Sequence, residues 1–475
     1  MYDKEDDKIS LYIKLQSMLL KRGNPHNNIR NRRIFLLIPS LLCLSLFAHA
    51  QSPDSSKSMT LDDCIDYAMQ HEPSINQSLL SIKIAKATNS INLSGWLPQA
   101  NVLGSATHYF QLPTTLEADS TGNGGLIPYH TGVSNTAIPQ LAITQTIFNP
   151  QLLYAAKTAK LYIKEAEQVT DSSKIYIISS VTKSFYNLIL TLQQINILKE
   201  DTARLNRNVK DTYHQFVGGI VDETDYEEAI ISLNNSSAQL KQQIEDVIPQ
   251  YAILKQTMGY PPEEQFNVAF DTLKLLQDIA FDTTEALQYE KRIEYQQLAT
   301  ARKLQHELTG YYRLAFLPTV SGFYNYYQEF ESDKISTLFN TSYPYSNIGL
   351  TLNLPVFTGF SRLENVRKAR LQEQLLDWAG VSLKSEMWTE YTTALGNYKY
   401  NMYNWKAQKD NVVRARNVYR IVTLQYKQGI VAYLNVIAAE SYLITAEVGQ
   451  ATALFQLLSS KIDLEKALGD ISYNR

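Results

Sequence analysis

Five acidic residues crowd one short segment of the chain, at Asp222, Glu223, Asp225, Glu227 and Glu228. Carboxylate oxygens are the ligands that hard cations such as Ca²⁺ and Mg²⁺ prefer, so the cluster could bind a cation. It could also be a solvated, charged tip that binds nothing, which is the simpler interpretation. The segment is therefore a candidate for ion binding or for surface contact.

Motifs for catalysis and for metal binding are absent from the sequence. It contains no P-loop, no Gly-x-Ser-x-Gly and no His-Glu-x-x-His. The histidines after residue 50 are scattered and lack the spacing of metal ligands: His71, His108, His130, His214 and His306. Charged residues make up 19% of the chain and the net charge is −3, which gives no support for nucleic-acid binding. We expect no enzyme, no cofactor and no metal site.

The acidic segment follows a stretch that the chain repeats about 210 residues later. The first copy reads QFVGGIV from position 215, and the second reads QYKQGIV from position 425. A polar residue stands six positions after the last glycine of each copy, Asp225 after Gly219 and Asn435 after Gly429. Glycine can adopt the left-handed conformation that ends a helix. Each copy therefore predicts a turn between two helices.

Long helices are predicted before both turns. Residues 151–216 contain neither glycine nor proline, and no proline follows Pro355. A continuous helix over the first of these segments would be roughly 100 Å long, which is typical of a coiled coil rather than of a globular core. We expect one return helix to start at Thr224, in a capping box with Glu227, and the other to have Asn435 as its N-cap.

Two strand candidates precede each long helix. LPQANVLGS from position 97 resembles LPTVSGFYN from position 317, and LAITQTIF at 141–148 resembles LTLNLPVF at 350–357. A polar, glycine-rich loop at 113–135 joins the first pair. In the last strand, apolar and polar residues alternate, as in a barrel strand that faces lipid or in an ordinary half-buried sheet. The strands alone leave both interpretations open.

Four strands cannot cross a bilayer alone. Their two edges would leave N–H and C=O groups without partners in hydrocarbon, at a cost of several kcal/mol for each group. Closure would need other chains, so that two copies supply eight strands and three copies supply twelve.

The chain divides into a leader and two repeats. Residues 1–50 contain a basic RNRR, an apolar IFLLIPSLLCLSLF and a final AHA, which together predict a secretory signal cleaved after residue 50. Cys43 could instead be a lipidation site, although Leu42 precedes it where a small residue is expected. The remainder reads as helix, strand, loop, strand, long helix, turn and helix, once over 51–262 and again over 263–475.

Taken in order, these features resemble the TolC family of outer-membrane efflux proteins. The resemblance rests on the opening TLDDCIDYAMQHEPSI, the paired Leu-Pro strand starts, the strand-to-helix junctions ending at Phe148 and Phe357, and the two Gly-Ile-Val turns; it covers 59–470. It implies a mainly α fold with a small membrane β-barrel contribution, four transmembrane β-strands per chain, and long antiparallel coiled-coil helices that form a periplasmic α-barrel.

The resemblance also implies a function and partners. A homotrimer in the cell outer membrane, with a long periplasmic extension, would be the exit duct of a tripartite efflux or type I secretion system. It would contact a periplasmic adaptor, an inner-membrane pump and outer-membrane lipid. The alternative is a soluble periplasmic coiled-coil scaffold or adaptor, which would lack the four strands. A passive porin would need many more strands per chain and no helices of this length.

The family's periplasmic gate corresponds to the two turns. Tyr426 matches the family's gate tyrosine. Asp225 matches the aspartate to which that tyrosine bonds across the interface, and Thr224 also matches a gate residue. The residues implied at the gate or tip are Gly219, Thr224, Asp225, Tyr426, Gly429 and Asn435. The chain departs from some members where Asn435 and Ala438 replace two aspartates that ring the entrance. Val431 likewise replaces a tip arginine, so an acidic ring and one gate contact are missing.

Overall fold

The computed structural model describes residues 58–118, 125–271, 275–276 and 279–473. The leader, its cleavage site, Cys43 and the glycines at 122 and 124 lie outside the described residues. The described chain is mainly helical, and every element below belongs to this part.

Two helices open the described chain after a short strand, β1 (Ser58–Met59). Helix α1 spans Leu61–His71 and α2 spans Pro73–Leu93. The backbone N–H of Asp63 donates to the hydroxyl of Thr60, and the backbone N–H of Thr60 donates to the carboxylate of Asp63 at 2.9 Å. This capping box marks the start of the first helix.

Four strands follow α2. The first, β2 (Gln99–His108), pairs antiparallel with β5 (Asn135–Phe148), while β3 (Thr114–Ala118) and β4 (Leu126–His130) pair only with each other. The segment 113–135, expected as a loop, therefore contains a hairpin. The β-branched and aromatic residues of this segment favour paired strands. The prediction of a loop considered only its polar residues and glycines.

The first long helical hairpin consists of α3 (Pro150–Val217) and α4 (Glu223–Met258). Helix α3 confirms the uninterrupted helix predicted over 151–216. It starts sharply because the side chain of Asn149 accepts a hydrogen bond from the backbone N–H of Gln151 at 2.8 Å.

The same order of elements then recurs. After β6 (Asn267–Val268), which pairs with β1, come α5 (Ile293–Leu314), β7 (Thr319–Ser332) and β8 (Ser342–Asn353). The last of these ends four residues before the predicted boundary at 357. Proline at position 355 has no N–H to give to a neighbouring strand, which explains the early end.

The second long hairpin consists of α6 (Ser361–Lys427) and α7 (Tyr433–Leu468). Helix α6 has 67 residues against 68 in α3, and α7 has 36 residues, as α4 does. The two hairpins are therefore nearly equal in length. Gly380 and Gly396 lie inside α6, whereas its counterpart α3 contains no glycine.

One four-stranded antiparallel sheet has the order β2-β5-β7-β8, with β2 and β8 at its edges. Its strands have 10 to 14 residues, enough to cross a bilayer at a tilt. Large apolar side chains on both edge strands are uncovered in the single chain: Val102 is 79% exposed, Ile348 83% and Leu350 74%. Within the part of the chain that the structure describes, the sheet thus has two open edges, and large apolar side chains on its edge strands are uncovered.

The main hydrophobic core lies far from the sheet, where the middle of each long helix meets the ends of the return helices. Phe185 and Leu188 of α3 pack there with Leu254 of α4 and with Leu457 and Leu464 of α7, all buried. Cys64 of α1 belongs to this core and is fully buried.

Helix α3 is the one helix of the described chain that is long and apolar enough to cross a membrane, by length and composition only. Of its most apolar window, 56% is buried in the structure. The same region supplies core residues, so its hydropathy is that of a core helix.

Substituting Gly259 is expected to destabilise the fold. Gly259 ends α4 with φ +67, and a Cβ there would lie 2.9 Å from the carbonyl oxygen of His71 and from the Cα of Glu72. We expect Gly259→Ala to cost about 1–3 kcal/mol and to lower the Tm in detergent. Gly310→Ala, inside α5 with nothing within 4 Å, is the control and should leave the Tm unchanged or raise it. Equal Tm values for the two variants would contradict this account.

The thiol of Cys64 is expected to be unreactive in the folded protein. Burial, with a smaller contribution from the charge of Asp63, raises its pKa to about 12. Only the thiolate is nucleophilic, so a maleimide at pH 8 should label the native protein very slowly and the denatured protein fully. A Cys64→Ser variant gives the background. Rapid labelling of the native protein would show that α1 does not pack as described.

Candidate gate at the helical hairpin tips

The first hairpin turn closes through three backbone hydrogen bonds. The N–H of Gly218 donates to the carbonyl of His214 at 3.0 Å, that of Gly219 to Phe216 at 2.9 Å and that of Ile220 to Gln215 at 2.8 Å. Gly219 has φ +68, the left-handed conformation that this pattern requires and that glycine adopts without strain.

The second turn has the same geometry. The N–H of Gly429 donates to the carbonyl of Tyr426 at 2.9 Å and that of Ile430 to Gln425 at 2.9 Å, and φ of Gly429 is +70. Ile220 and Ile430, at the two tips, are 75% and 69% exposed. The repeated sequence is thus a repeated helix-ending turn that presents an isoleucine to the outside.

Both predicted caps of the return helices were wrong. Helix α4 begins at Glu223 after Asp222, so Thr224 lies inside the first turn and is exposed. Helix α7 begins at Tyr433 after Ala432, whose extended backbone (ψ 158) takes the N-cap position. The N-cap residue stands three positions after each left-handed glycine, which is two residues before Thr224 in the first turn and three residues before Asn435 in the second.

Asp225 and Asn435 occupy equivalent places in the first turns of α4 and α7. The N–H of Asp225 donates to the carbonyl of Asp222 at 3.2 Å, and that of Asn435 to Ala432 at 3.1 Å. Partial burial, followed by the charge of Asp222, raises the pKa of Asp225. Its carboxylate is near the N-terminus of α4, where a negative charge is stabilised by the helix dipole.

Tyr426 links the two hairpins. Its hydroxyl donates to Oε1 of Gln215 on α3 at 2.9 Å, and its ring lies 5.3 Å from that of Tyr433. Burial raises the pKa of Tyr426, and the charge of Asp225 raises it further. The charge of Asp225 therefore acts on the Tyr426 phenol, while the phenol hydrogen goes to Gln215.

A small apolar core supports these contacts. Ala229 of α4 is buried against Tyr433 and Val436 of α7, and Tyr426 and Val209 pack on them. All four long helices of the hairpins therefore meet just behind the tips, so a movement of one hairpin must disturb this core.

A buried charged cluster lies behind this small core, and the sequence analysis missed it. Arg204 donates to Asp201 on its own helix at 2.8 Å and to Glu440 of α7 at 3.3 Å. Ser236 of α4 donates to Asp201 at 2.7 Å, and Asn208 of α3 donates to Glu440 at 3.4 Å. Asp201 is 0% exposed and Glu440 is 3% exposed. We name these five residues the inter-hairpin cluster.

Burial has the largest effect on the pKa values of the two carboxyl groups in this cluster. It raises the pKa of Glu440 to about 7, with the charge of Asp201 adding to the rise and Arg204 opposing it. Burial also raises the pKa of Asp201, against hydrogen bonds from Ser236 and Arg204 that lower it. Sequence could signal only the Asp201–Arg204 pair, three residues apart on one helix. Glu440 stands in a distant segment and reaches the pair only through the fold.

The chemistry available at the tips is contact and hydrogen bonding. Among the described residues, no group of three or more His, Cys, Asp or Glu side chains is placed to hold a metal ion. The acidic segment that includes Asp222 and Glu223 is exposed at the start of α4.

Known proteins share this fold and part of this sequence. Residues 288–470 match the model of the outer membrane efflux protein family. The chain is 19% identical over 342 residues to outer membrane protein TolC of Vibrio cholerae serotype O1, covering 69% of this chain and 76% of that protein.

Solved structures agree on the fold. The CmeC outer membrane channel of Campylobacter jejuni has a TM-score of 0.67 and 19% identity, covering 95% of each chain. VceC of Vibrio cholerae, an outer membrane protein, has a TM-score of 0.67 and 16% identity, covering 86% of this chain and 96% of that chain. Residues 288–470 thus match the outer membrane efflux protein family, and the chain is similar in sequence to an outer membrane protein and in fold to solved outer membrane channels.

Proposed function

We propose that three copies of this chain form the exit duct of a tripartite efflux or type I secretion system. Substrates would pass from an inner-membrane pump, through a periplasmic adaptor and this duct, to the outside. Four strands from each copy would close a twelve-stranded barrel, and the hairpins of the three copies would form a periplasmic tunnel.

The observation that carries this proposal is the four-stranded sheet with two open edges. In hydrocarbon, unpaired N–H and C=O groups on β2 and β8 cost several kcal/mol each, so the sheet must close on other chains. Alternation of strand direction supports this arrangement, because β8 of one copy would lie antiparallel to β2 of the next. A soluble scaffold, the alternative considered from sequence, has no need of such a sheet.

The length of the hairpins supports the periplasmic part of the proposal. A helix of 68 residues is roughly 100 Å long, which is long enough for a tunnel that extends well beyond the membrane. The two repeats, 51–262 and 263–475, would each supply one hairpin, so that three copies place six hairpins around the axis.

The gate is proposed at the tips, with Gly219 and Gly429 forming the turns. Tyr426 would hold neighbouring hairpins together, with Gln215 or Asp225 as the acceptor. A phenol has one hydrogen to donate, so these two acceptors are alternatives. Thr224 and Asn435 lie on the exposed first turns of the return helices, where we propose contact with the adaptor.

The purified protein is expected to be a trimer that requires detergent. The edges of the sheet and the uncovered apolar side chains of its strands need partner chains and lipid. Membrane fractionation followed by native mass measurement in detergent should give three times the mass of one mature chain. A monomer that stays in solution without detergent would contradict the proposal.

Loss of the Tyr426 hydroxyl is expected to open the channel. Tyr426→Phe removes its bond to either acceptor, each worth about 1 kcal/mol, and three copies act together. In planar bilayers the open probability should rise most in Tyr426→Phe and less in Gln215→Ala or Asp225→Ala, because the phenol can change acceptor.

The control for this experiment is Tyr403→Phe, which removes a phenol from α6 that is 74% exposed in the chain. It should conduct like the unmodified protein. If Tyr426→Phe also does so, the gate lies elsewhere and the two turns only connect helices.

A further inference from the structure

The inter-hairpin cluster contains more carboxyl groups than cationic groups. Asp201 and Glu440 are two buried carboxyl groups, and both contact one guanidinium, that of Arg204. If both carboxyl groups are ionised, the cluster keeps one uncompensated negative charge in a region of low dielectric, which is unfavourable. One proton bound to the pair removes that charge.

Geometry indicates which carboxyl group takes the proton. Asp201 accepts two short bonds, from Ser236 at 2.7 Å and from Arg204 at 2.8 Å, which stabilise its ionised form. The bonds to Glu440, from Arg204 and Asn208, are longer, at 3.3 and 3.4 Å. Glu440 is thus the more weakly solvated carboxylate of the two.

The inter-hairpin cluster spans the two hairpins. Asp201, Arg204 and Asn208 lie on α3 and Ser236 lies on α4, so four of its members belong to the first hairpin. Glu440 belongs to α7 of the second hairpin, and it is the only member of the cluster that does. Any separation of the hairpins near the tips must pull Glu440 away from Arg204 and into water.

We propose that Glu440 is a positioning residue of the gate: in its protonated form it holds the second hairpin against Asp201 and Arg204, and its ionisation loosens that contact. This rests on the proposed channel function. The proton leaves to water, and no other bond is made or broken.

Other titratable groups face Glu440 from the elements packed around it. Helix α6 contributes Tyr419, whose ring lies 5.7 Å from the Arg204 guanidinium, and Arg416, which pairs with Glu447 of α7 at 2.7 Å. Helix α7 contributes Tyr433, and α3 contributes Asp201 and Arg204. Burial, followed by the charge of Glu440, raises the pKa of both tyrosines, which therefore stay neutral near pH 7. Glu440 is the member of this set whose pKa, about 7, falls in the physiological range.

The direction of the pH effect follows from this raised pKa. In the closed state Glu440 binds its proton up to about pH 7, whereas in water it would lose it near its ordinary value of 4.5. Closure is therefore fully stabilised below about pH 4.5 and loses that stabilisation as the pH rises through 7. The opening equilibrium should rise by up to about a hundredfold between pH 5 and pH 8.

A structural ion pair would behave in the opposite way. If the ionised Glu440–Arg204 bond held the hairpins together, acid would break it and the neutral Glu440→Gln variant would be leaky. Under the proposal, Glu440→Gln mimics the protonated form. It should stay closed at pH 8, like the unmodified protein at pH 5, and lose the pH dependence.

The test measures hydrogen–deuterium exchange of the segment 433–447 in the detergent-solubilised trimer, as protection factors corrected for intrinsic rates, from pH 5 to pH 8. Channel open probability is measured in parallel. Asp201→Asn is the second variant: it removes the competing carboxyl group, so the transition should move to lower pH. Glu245→Gln, which removes an exposed ion pair with Lys241 within α4, is the charge-matched control and should keep the pH profile.

Protection that falls with rising pH, and that becomes independent of pH in Glu440→Gln, supports the proposal. Protection that falls with acid, or a Glu440→Gln variant that is less protected than the unmodified protein at pH 8, overturns it. A protein that never conducts but shows the expected exchange profile would remove the channel function and leave the role of Glu440 in place.

Discussion

The structure depends on one constraint, the need of backbone N–H and C=O groups for hydrogen-bond partners. The central strands β5 and β7 pair with each other and with their neighbours, whereas the outer edges of β2 and β8 have no strand partner among the described residues. A bilayer offers none, so under the proposed function the sheet would be complete only when other copies are present. The uncovered apolar side chains on these edge strands, Val102 and Ile348 among them, belong to the same incomplete surface.

The positions of the helical hairpins follow from the arrangement of the strands. The contacts between the hairpin ends are a second and weaker constraint on the structure. Each long helix begins where a strand or its extension ends, so a ring of strands would set the positions of the hairpins. At the far end the two turns have the same backbone but different side chains, with an acidic first turn on α4 and a neutral one on α7. What holds these ends together is a small apolar core, the bond from Tyr426 to Gln215 and the inter-hairpin cluster. These contacts involve fewer residues than the main core, which suits the proposal that this region opens.

Sequence predicted whatever rests on local chemistry. The absence of glycine and proline over 151–216 correctly predicted the extent of α3. Gly219 and Gly429 were correctly expected in a left-handed conformation. The caps at Thr224 and Asn435 failed because side-chain preference was outweighed by a turn whose length is set by its glycine. The inter-hairpin cluster could not be predicted, since Asp201 and Glu440 meet only through the packing of two distant hairpins.

The central claim is that β2 and β8 of neighbouring copies pair to close one barrel. The most direct test introduces Val102→Cys on β2 together with a cysteine on β8, in turn at Ser346, Ile348 and Leu350, and oxidises the protein in native membranes. The account predicts that at least one combination gives covalent dimers and trimers on a denaturing gel, while each single cysteine gives neither trimers nor a ladder. Failure of every combination to link chains, in a protein that is otherwise folded and membrane-bound, would contradict it.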